Sequence, residues 1–346
     1  MTGDQTLGDI GERRLVRDVL PKYCSPAGDD CAGFVAPSGS LVITTDPVPE
    51  PAAKVLGDDP DLYWLGWLLV TINCSDIAAA GAAPVVFVAA VEAPSFTKVR
   101  DFERLLRGIR DSCCQHGIEY VGGNLREATR LTATGTAVGA VRTGKPLSRL
   151  GAKPGDTVVS VGMGGIFWRD VLSMRRGIPV GKESSPLFRP IAQLRAMAAL
   201  RSANVISAAI DNSDGLVPTL DQLARSNKLA IEIDVRRLRG NQPAGDDQAM
   251  DPARRWLGWG DWNVICTIPQ DRLSDALALA GQNGHSILQI GRVLEPHPGC
   301  DLVTLVGERE RLAAPRIESE RFAKDSWFSA GVGAYIAMLE SAVLPD

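Results

Sequence analysis

Residues 208–216 read "AAIDNSDGL", an apolar run that stops at Asp211, with Asp214 three positions on and a glycine before "VPTLDQLARS". A strand that ends where a helix starts is the unit from which α/β domains are assembled. Pro218 suits the first turn of that helix, where its missing N–H goes unused. The two acids admit two readings. Asp, Asn, Ser and Gly are common turn formers and helix caps. Two carboxylates around one turn, beside a helix N-terminus, also suit a metal-bound phosphate. The stretch alone leaves both open.

Working outward, the same alternation of strand and helix recurs. "LVITTD" (41–46) is a β-branched strand that ends on an acid. Residues 61–80 form a buried helix, bulky early and small-residue later ("DIAAAGAAP"), which suggests close approach to another backbone. "VVFVAAVEA" (85–93) is a buried strand. Residues 99–117 place Val99, Phe102, Leu105, Leu106 and Ile109 on one helical face, with Gly117 as a stop. "LTATGTAVGAV" (131–141) alternates as a strand, and residues 9–20 read as a short helix. "RTGKPLSRLGAKPGD" is the expected domain link, dividing 1–148 from 149–346. Beyond it lie the strand "TVVSV", a glycine loop, the acid-bearing turn, an exposed loop at 239–254, and the strands "DWNVICTIP" and "SILQIGRVL". The expected class is mixed α/β with antiparallel strands, in two domains.

Composition supports this division and removes several function classes. A chain of 346 residues exceeds one ordinary core, and 45% hydrophobic content is ample for two. A net charge of −4 without clustered Lys and Arg argues against nucleic acid. The apolar run at 62–72 is about half a membrane span. Seven irregularly spaced cysteines and a polar start, "MTGDQTLGDIGERR", indicate a cytoplasmic protein without a disulfide framework or zinc site.

Acids recur at strand ends and turns: Asp29 and Asp30 in "AGDDCAGF", Asp46 in "ITTD", Asp76 in "NCSD", then Asp211 and Asp214. Oxygen-only ligands of this kind suit Mg²⁺, which takes one or two carboxylates together with water and substrate phosphate. The usual nucleotide loops are absent. There is no GxxxxGK[ST], and Phe167 breaks the glycine pattern that "GMGGIF" begins. His116, His285 and His297 lie far apart without a nucleophile pattern and read as structural or surface residues.

Taken in order, "GDDCAGF", "VITTDPV", "TINCSDIAAAGAAPV", "YVGGNLREA", "PLSRLGAKPGD" and "AAIDNSDGLVPTLDQLA" resemble the thiamine-monophosphate kinase family, from about residue 8 to residue 295. That family belongs to the aminoimidazole ribonucleotide synthetase (PurM-like) superfamily. The resemblance implies a two-domain PurM-like fold whose N-terminal sheets pair across a homodimer into a barrel, with ATP in the groove beside it. It implies Mg²⁺ and ATP as cofactors and a small molecule as acceptor. It assigns Asp30, Asp46, Asp76, Asp211 and Asp214 to the metals, with Asp30, Asp76 and Asp214 closest to catalysis. Thr44 and Thr45 add metal contacts, and Gly123, Arg149 and Ser213 contact ATP.

The departures fall mainly on the acceptor side. Asn124 replaces a metal-binding Asp, so one negative charge is lost. Ala53 stands where the family has a substrate-contacting His. "GWGDWN" stands where it has Gly-Gly-Glu-Asp-Tyr-Glu, which puts Gly260 in place of a substrate-contacting Glu, flanked by Trp259 and Trp262. The glycine loop at 162–165 runs into Ile-Phe-Trp, and Trp327 or Phe328 is the counterpart of a C-terminal aromatic closing the substrate site. Two readings of Trp168, Trp259 and Trp262 stand side by side: a pocket for a flat acceptor, or core residues. Three functions follow as expectations. They are a Mg²⁺-dependent phosphotransferase with an acceptor other than thiamine monophosphate, an ATP-dependent synthetase working through a phosphorylated intermediate, and a non-catalytic nucleotide-binding protein.

Overall fold

The computed structural model describes residues 4–24, 31–240, 250–315 and 331–346. Two compact units divide the chain. One comprises Met1–Ile77, Ala82–Pro146 and Lys182–Leu194, the other Ala78–Gly81, Leu147–Gly181 and Arg195–Asp346. The excursion of Lys182–Leu194 into the first unit is a feature that the sequence pattern does not announce.

The first unit holds α1 (Leu7–Ile10), α2 (Glu12–Asp18), β1 (Ser40–Pro47), α3 (Ala52–Val55), α4 (Leu62–Ala79), β2 (Ala83–Ala93), α5 (Val99–His116), β3 (Glu119–Glu127) and β4 (Thr132–Val141). Gly11, at φ 77°, splits the expected helix over 9–20 into α1 and α2. The sheet runs β1-β4-β2-β3, antiparallel except for the parallel β2–β3 pair. The α5 stripe is buried as its spacing requires, and Gly117 ends the helix in the left-handed region. A Cβ on Gly66 of α4 would lie 2.1 Å from the Leu105 carbonyl oxygen, and one on Gly108 of α5 2.0 Å from that of Tyr63. The two helices therefore meet backbone to backbone at these glycines, one turn or more before the alanine run. Although α4 is apolar and long enough to cross a membrane, 83% of it is buried within the protein.

The excursion straps α4 and α5. Trp67 Nε1 donates to the Pro190 carbonyl at 2.9 Å, and the Arg189 guanidinium lies 4.8 Å from the Trp67 ring centroid. His116 closes the strap. Its Nδ1 is 2.8 Å from the Ser112 carbonyl, and its Nε2 accepts the Ala192 N–H at 3.1 Å. Only the neutral imidazole satisfies both partners, and burial pushes its pKa down from 6.5 to about 4. This is a structural histidine, as its isolation in the sequence indicates.

The second unit contains β5 (Thr157–Val161), α6 (Ile166–Arg175), α7 (Leu194–Ser202), β6 (Ala208–Asp211), α8 (Leu216–Asn227), β7 (Ala230–Asp234), α9 (Val235–Gly240) and α10 (Pro252–Leu257). It continues through β8 (Val264–Ile268), α11 (Leu273–Gln282), β9 (Ile287–Leu294), β10 (Val303–Val306), β11 (Arg311–Ala313) and α12 (Val332–Ser341). The seven strands are ordered β11-β10-β7-β9-β5-β8-β6, antiparallel except for β7–β10. Strands β5, β6 and β8 are buried at every position, which is why they read as unbroken apolar runs. Val158, Ile210, Leu220, Ile231, Trp256 and Ile265 form the heart of this core. The C-terminal helix α12 packs on it through Tyr335, stacked on Trp168 at 5.3 Å.

Candidate active site

In the first unit the acids are positioned by β1 and α4. Strand alternation puts Thr44 and Asp46 on one face, and Thr44 Oγ1 donates to Asp76 Oδ2 of α4 at 2.5 Å. The register partner of Asp46 is Gly135, where a Cβ would fall 2.5 Å from Asn73 Nδ2. Asn73 therefore lies over the sheet one helical turn before Asp76. Its Nδ2 donates to the Leu69 carbonyl at 2.8 Å, which leaves Oδ1 buried without a hydrogen-bond partner among the described residues. Two carboxylates, a hydroxyl and an orphaned amide oxygen are hard donors of the kind Mg²⁺ prefers. Among the described residues no group of three acidic, His or Cys side chains could hold a metal alone, so phosphate and water would have to complete the shell.

Thr45 faces the other way. Its hydroxyl donates to the Gly135 carbonyl at 2.9 Å and accepts from Thr136 at 3.0 Å, so the structure does not bring it together with Thr44. Gly123 lies so close to β2 that a Cβ would sit 1.7 Å from the Ala89 carbonyl oxygen. Asn124, next along β3, is exposed. Asp30 and Trp327 fall outside the described residues.

In the second unit Asp211 closes β6 and is buried, whereas Ser213 and Asp214 are exposed. The N-cap of α8 is Gly215, at φ 101°, and no side-chain cap is made there. The capping reading of this turn therefore fails at the cap position itself. A buried polar chain holds the turn instead. Thr219 Oγ1 donates to Asn212 Oδ1 (3.1 Å), Asn212 Nδ2 to Asn263 Oδ1 (2.8 Å), Asn263 Nδ2 to Ser160 Oγ (2.6 Å), and Ser160 Oγ to the Gly162 carbonyl (2.8 Å). Every link is satisfied, as a buried network must be if it is to rigidify a turn. The Arg149 backbone is held likewise, its carbonyl accepting Asn227 Nδ2 at 2.8 Å.

Asp261 is a feature that sequence reasoning passed over. Its two oxygens accept the N–H groups of Gly165 (2.7 Å) and Phe167 (2.8 Å) at the start of α6. Burial pushes its pKa up to about 7, although these backbone bonds oppose the shift. The neighbouring departures prove to be structurally coupled. A Cβ on Gly260 would lie 2.5 Å from Phe167 Cγ, one on Gly258 2.2 Å from Trp168 Nε1, and one on Gly164 2.2 Å from Trp256 Cε3. Phe167, Trp168, Trp259 and Tyr335 form one aromatic cluster, and Trp168 is fully buried, so the core reading holds for Trp168. Ala53 is also buried. Trp262 is half-buried and stands at φ 53°. Burial pushes the Tyr335 phenol up, and the charge of Asp214 adds to that shift.

The family of AIR synthase related proteins matches through its N-terminal domain at residues 28–141 and its C-terminal domain at 153–300. Thiamine-monophosphate kinase of Methanospirillum hungatei is 30% identical over 287 residues, which span 83% of this chain and 93% of that one. The chain belongs to the thiamine-monophosphate kinase family. Two solved structures share the fold. Thiamine-monophosphate kinase from Stenotrophomonas maltophilia K279a is 24% identical with a TM-score of 0.64, covering 78% of this chain and 86% of that one. Hydrogenase maturation protein HypE in complex with ATP is 19% identical with a TM-score of 0.69, covering 87% and 93%. At these identities the likeness speaks for the fold alone. The Phe167–Gly260 contact fills the position that the resemblance aligns with a glutamate.

Proposed function

We propose that this ATP-dependent, kinase-like enzyme passes the terminal phosphoryl group of ATP, in the presence of Mg²⁺, to a small acceptor other than thiamine monophosphate. The observation that carries the nucleotide half is the Thr44–Asp76 pair beside Asp46. When bound, Mg²⁺ neutralises charge on the phosphates and ATP supplies the group to be transferred. The protein's own task is then positioning. Asp46 and Asp76 supply fixed negative charge from a strand and a helix, and the Thr44 hydroxyl orients the Asp76 carboxylate. Asp211 and Asp214 offer a second acidic pair on a turn clamped by Asn212 and Asn263. By resemblance Asp30 and Asn124 belong to the metal set, and Gly123, Arg149 and Ser213 to the nucleotide contacts. The buried, neutral His116 is no candidate base. A phosphate acceptor, ionised at pH 7, needs none.

The acceptor half departs from the family. Gly260 is pressed on Phe167 and Ala53 is buried, so neither position offers the polar side chain present in the family pattern. The outer face of β1 exposes Leu41 (47%) and Ile43 (73%), an apolar edge suited to pairing with a second copy. A cytoplasmic homodimer follows from the same reading. The test is ADP release with Mg²⁺·ATP across a panel of phosphorylated and unphosphorylated acceptors. Turnover with some acceptor and little or no thiamine diphosphate from thiamine monophosphate is the expected result. Efficient thiamine diphosphate formation would overturn the acceptor assignment, and no ADP release with any acceptor would overturn transfer itself.

A further inference from the structure

Residues Leu257–Asn263 act as a bracket with an anchor at nearly every position. Gly215, at the end of the acid turn, lies so close that a Cβ would be 2.8 Å from the Leu257 carbonyl oxygen. Gly258 and Gly260 are pressed on Trp168 and Phe167. Asp261 holds the N-terminus of α6, and Asn263 holds Asn212 through a side-chain bond (2.8 Å) and a backbone bond (3.0 Å). Both anchoring side chains are buried.

Between these anchors sits Trp262. Its φ of 53° lies in the left-handed region, which costs a bulky side chain free energy and which Gly, Asn or Asp would occupy more cheaply. Among the described residues its ring makes no contact with another aromatic, although Phe167, Trp168, Trp259 and Tyr335 form a connected cluster nearby. The fold thus over-determines an unfavourable backbone at a large side chain and leaves that side chain outside the cluster. Strain of this kind persists where the surroundings enforce it, and it concentrates at ligand sites.

We infer that Trp262 is a stacking platform for a planar ring of a ligand bound beside the acid turn 211–214. The ring is either the base of the nucleotide or part of the acceptor, and in that respect the inference rests on the phosphotransferase reading. Stacking needs a flat, partly exposed face whose position is fixed before the ligand arrives. Burial of the neighbouring Asp261 and Asn263 provides that fixity, and Trp262 itself stays partly exposed.

The experiment uses the full chain with Trp262→Gly and Trp262→Phe, reading melting temperature and calorimetric affinity for Mg²⁺·ATP and for thiamine monophosphate as a ring-bearing probe. Glycine accepts this φ without strain. Trp262→Gly is therefore expected to melt no lower than the unsubstituted chain while losing roughly tenfold or more in affinity for one probe, with Trp262→Phe retaining most of it. Loss for ATP identifies the base as the stacked ring, and loss for thiamine monophosphate identifies the acceptor. A Gly variant that melts several degrees lower, or that binds both probes as tightly as the unsubstituted chain, overturns the inference. If the unsubstituted chain binds neither probe, the phosphotransferase reading fails and the stacking role that rests on it falls with it; binding by the unsubstituted chain that the Gly variant fully retains overturns the stacking role alone.

Discussion

Gly260 and Phe167 are complementary: the ring occupies the space that a side chain at 260 would take, 2.5 Å from its Cβ position to Phe167 Cγ. Gly260 and the bulky residue at 167 are thus one packing solution. A glycine at φ 113° admits the ring, and the ring makes any larger residue at 260 unfavourable. Gly260→Ala should cost about 2–4 kcal/mol in urea unfolding. Phe167→Ala should cost roughly 1 kcal/mol less in that background than in the unsubstituted chain, because the two substitutions share one contact. Strict additivity would show that the contact does not decide the residue.

Removing one charge at the proposed nucleotide site should leave the fold and remove the chemistry. Asp76→Asn keeps a side chain of the same shape against Thr44. Its melting temperature should stay within a few degrees of the unsubstituted chain, and ADP release should fall by roughly 10³, the scale of a lost metal contact. Near-normal turnover would take Asp76 out of the site.

The clamp on the acid turn should reveal itself as coupling. Asn212→Ala and Asn263→Ala each leave a buried partner unsatisfied, so each should destabilise by about 1–3 kcal/mol. The double variant should cost at least about 0.5 kcal/mol less than their sum. A sum without coupling would mean that the two amides act independently.

Two buried groups should oppose one another in acid. His116 has its pKa lowered from 6.5 to about 4 in the folded state, so between those values the unfolded chain binds more protons. Its contribution to stability is therefore lost as pH falls from 6.5 to 4, by on the order of 3 kcal/mol. Asp261, raised from 3.8 to about 7, works in the other sense: its contribution is fully present below pH 3.8 and is lost as pH rises towards 7. Urea midpoints from pH 4 to 8 should show a flatter acid limb in His116→Asn. They should also show Asp261→Asn closer to the unsubstituted chain at pH 8 than at pH 5. Parallel profiles for all three proteins would contradict both assignments.

Much of the architecture is legible because it is periodic. The stripe on α5 and the unbroken apolar runs of β5, β6 and β8 follow directly from burial on one face or on two. Strand β3 carries no such period, and its Gly123 sits where β3 and β2 come close enough to exclude a side chain. The acids stand out as a set because they recur beside expected strand ends and turns, although Asp76 lies within α4. Their local geometry does not, and Thr45, adjacent to Thr44, turns to the opposite face by simple strand alternation. The polar chain through Asn212, Asn263 and Ser160 joins positions 51 and 103 residues apart, a separation at which no local pattern operates. Asp261 carried one signal that could have been used, an acid enclosed by glycines and tryptophans in "GWGDWN". An acid in such apolar surroundings needs donors, and the start of a helix supplies them.

Calorimetric titration of the full chain with ATP, with and without Mg²⁺, is the most direct test of a nucleotide held through metal and carboxylates. The expected result is saturable binding that requires Mg²⁺ and is lost in Asp76→Asn. Binding of equal strength without Mg²⁺, or undiminished in Asp76→Asn, would contradict it.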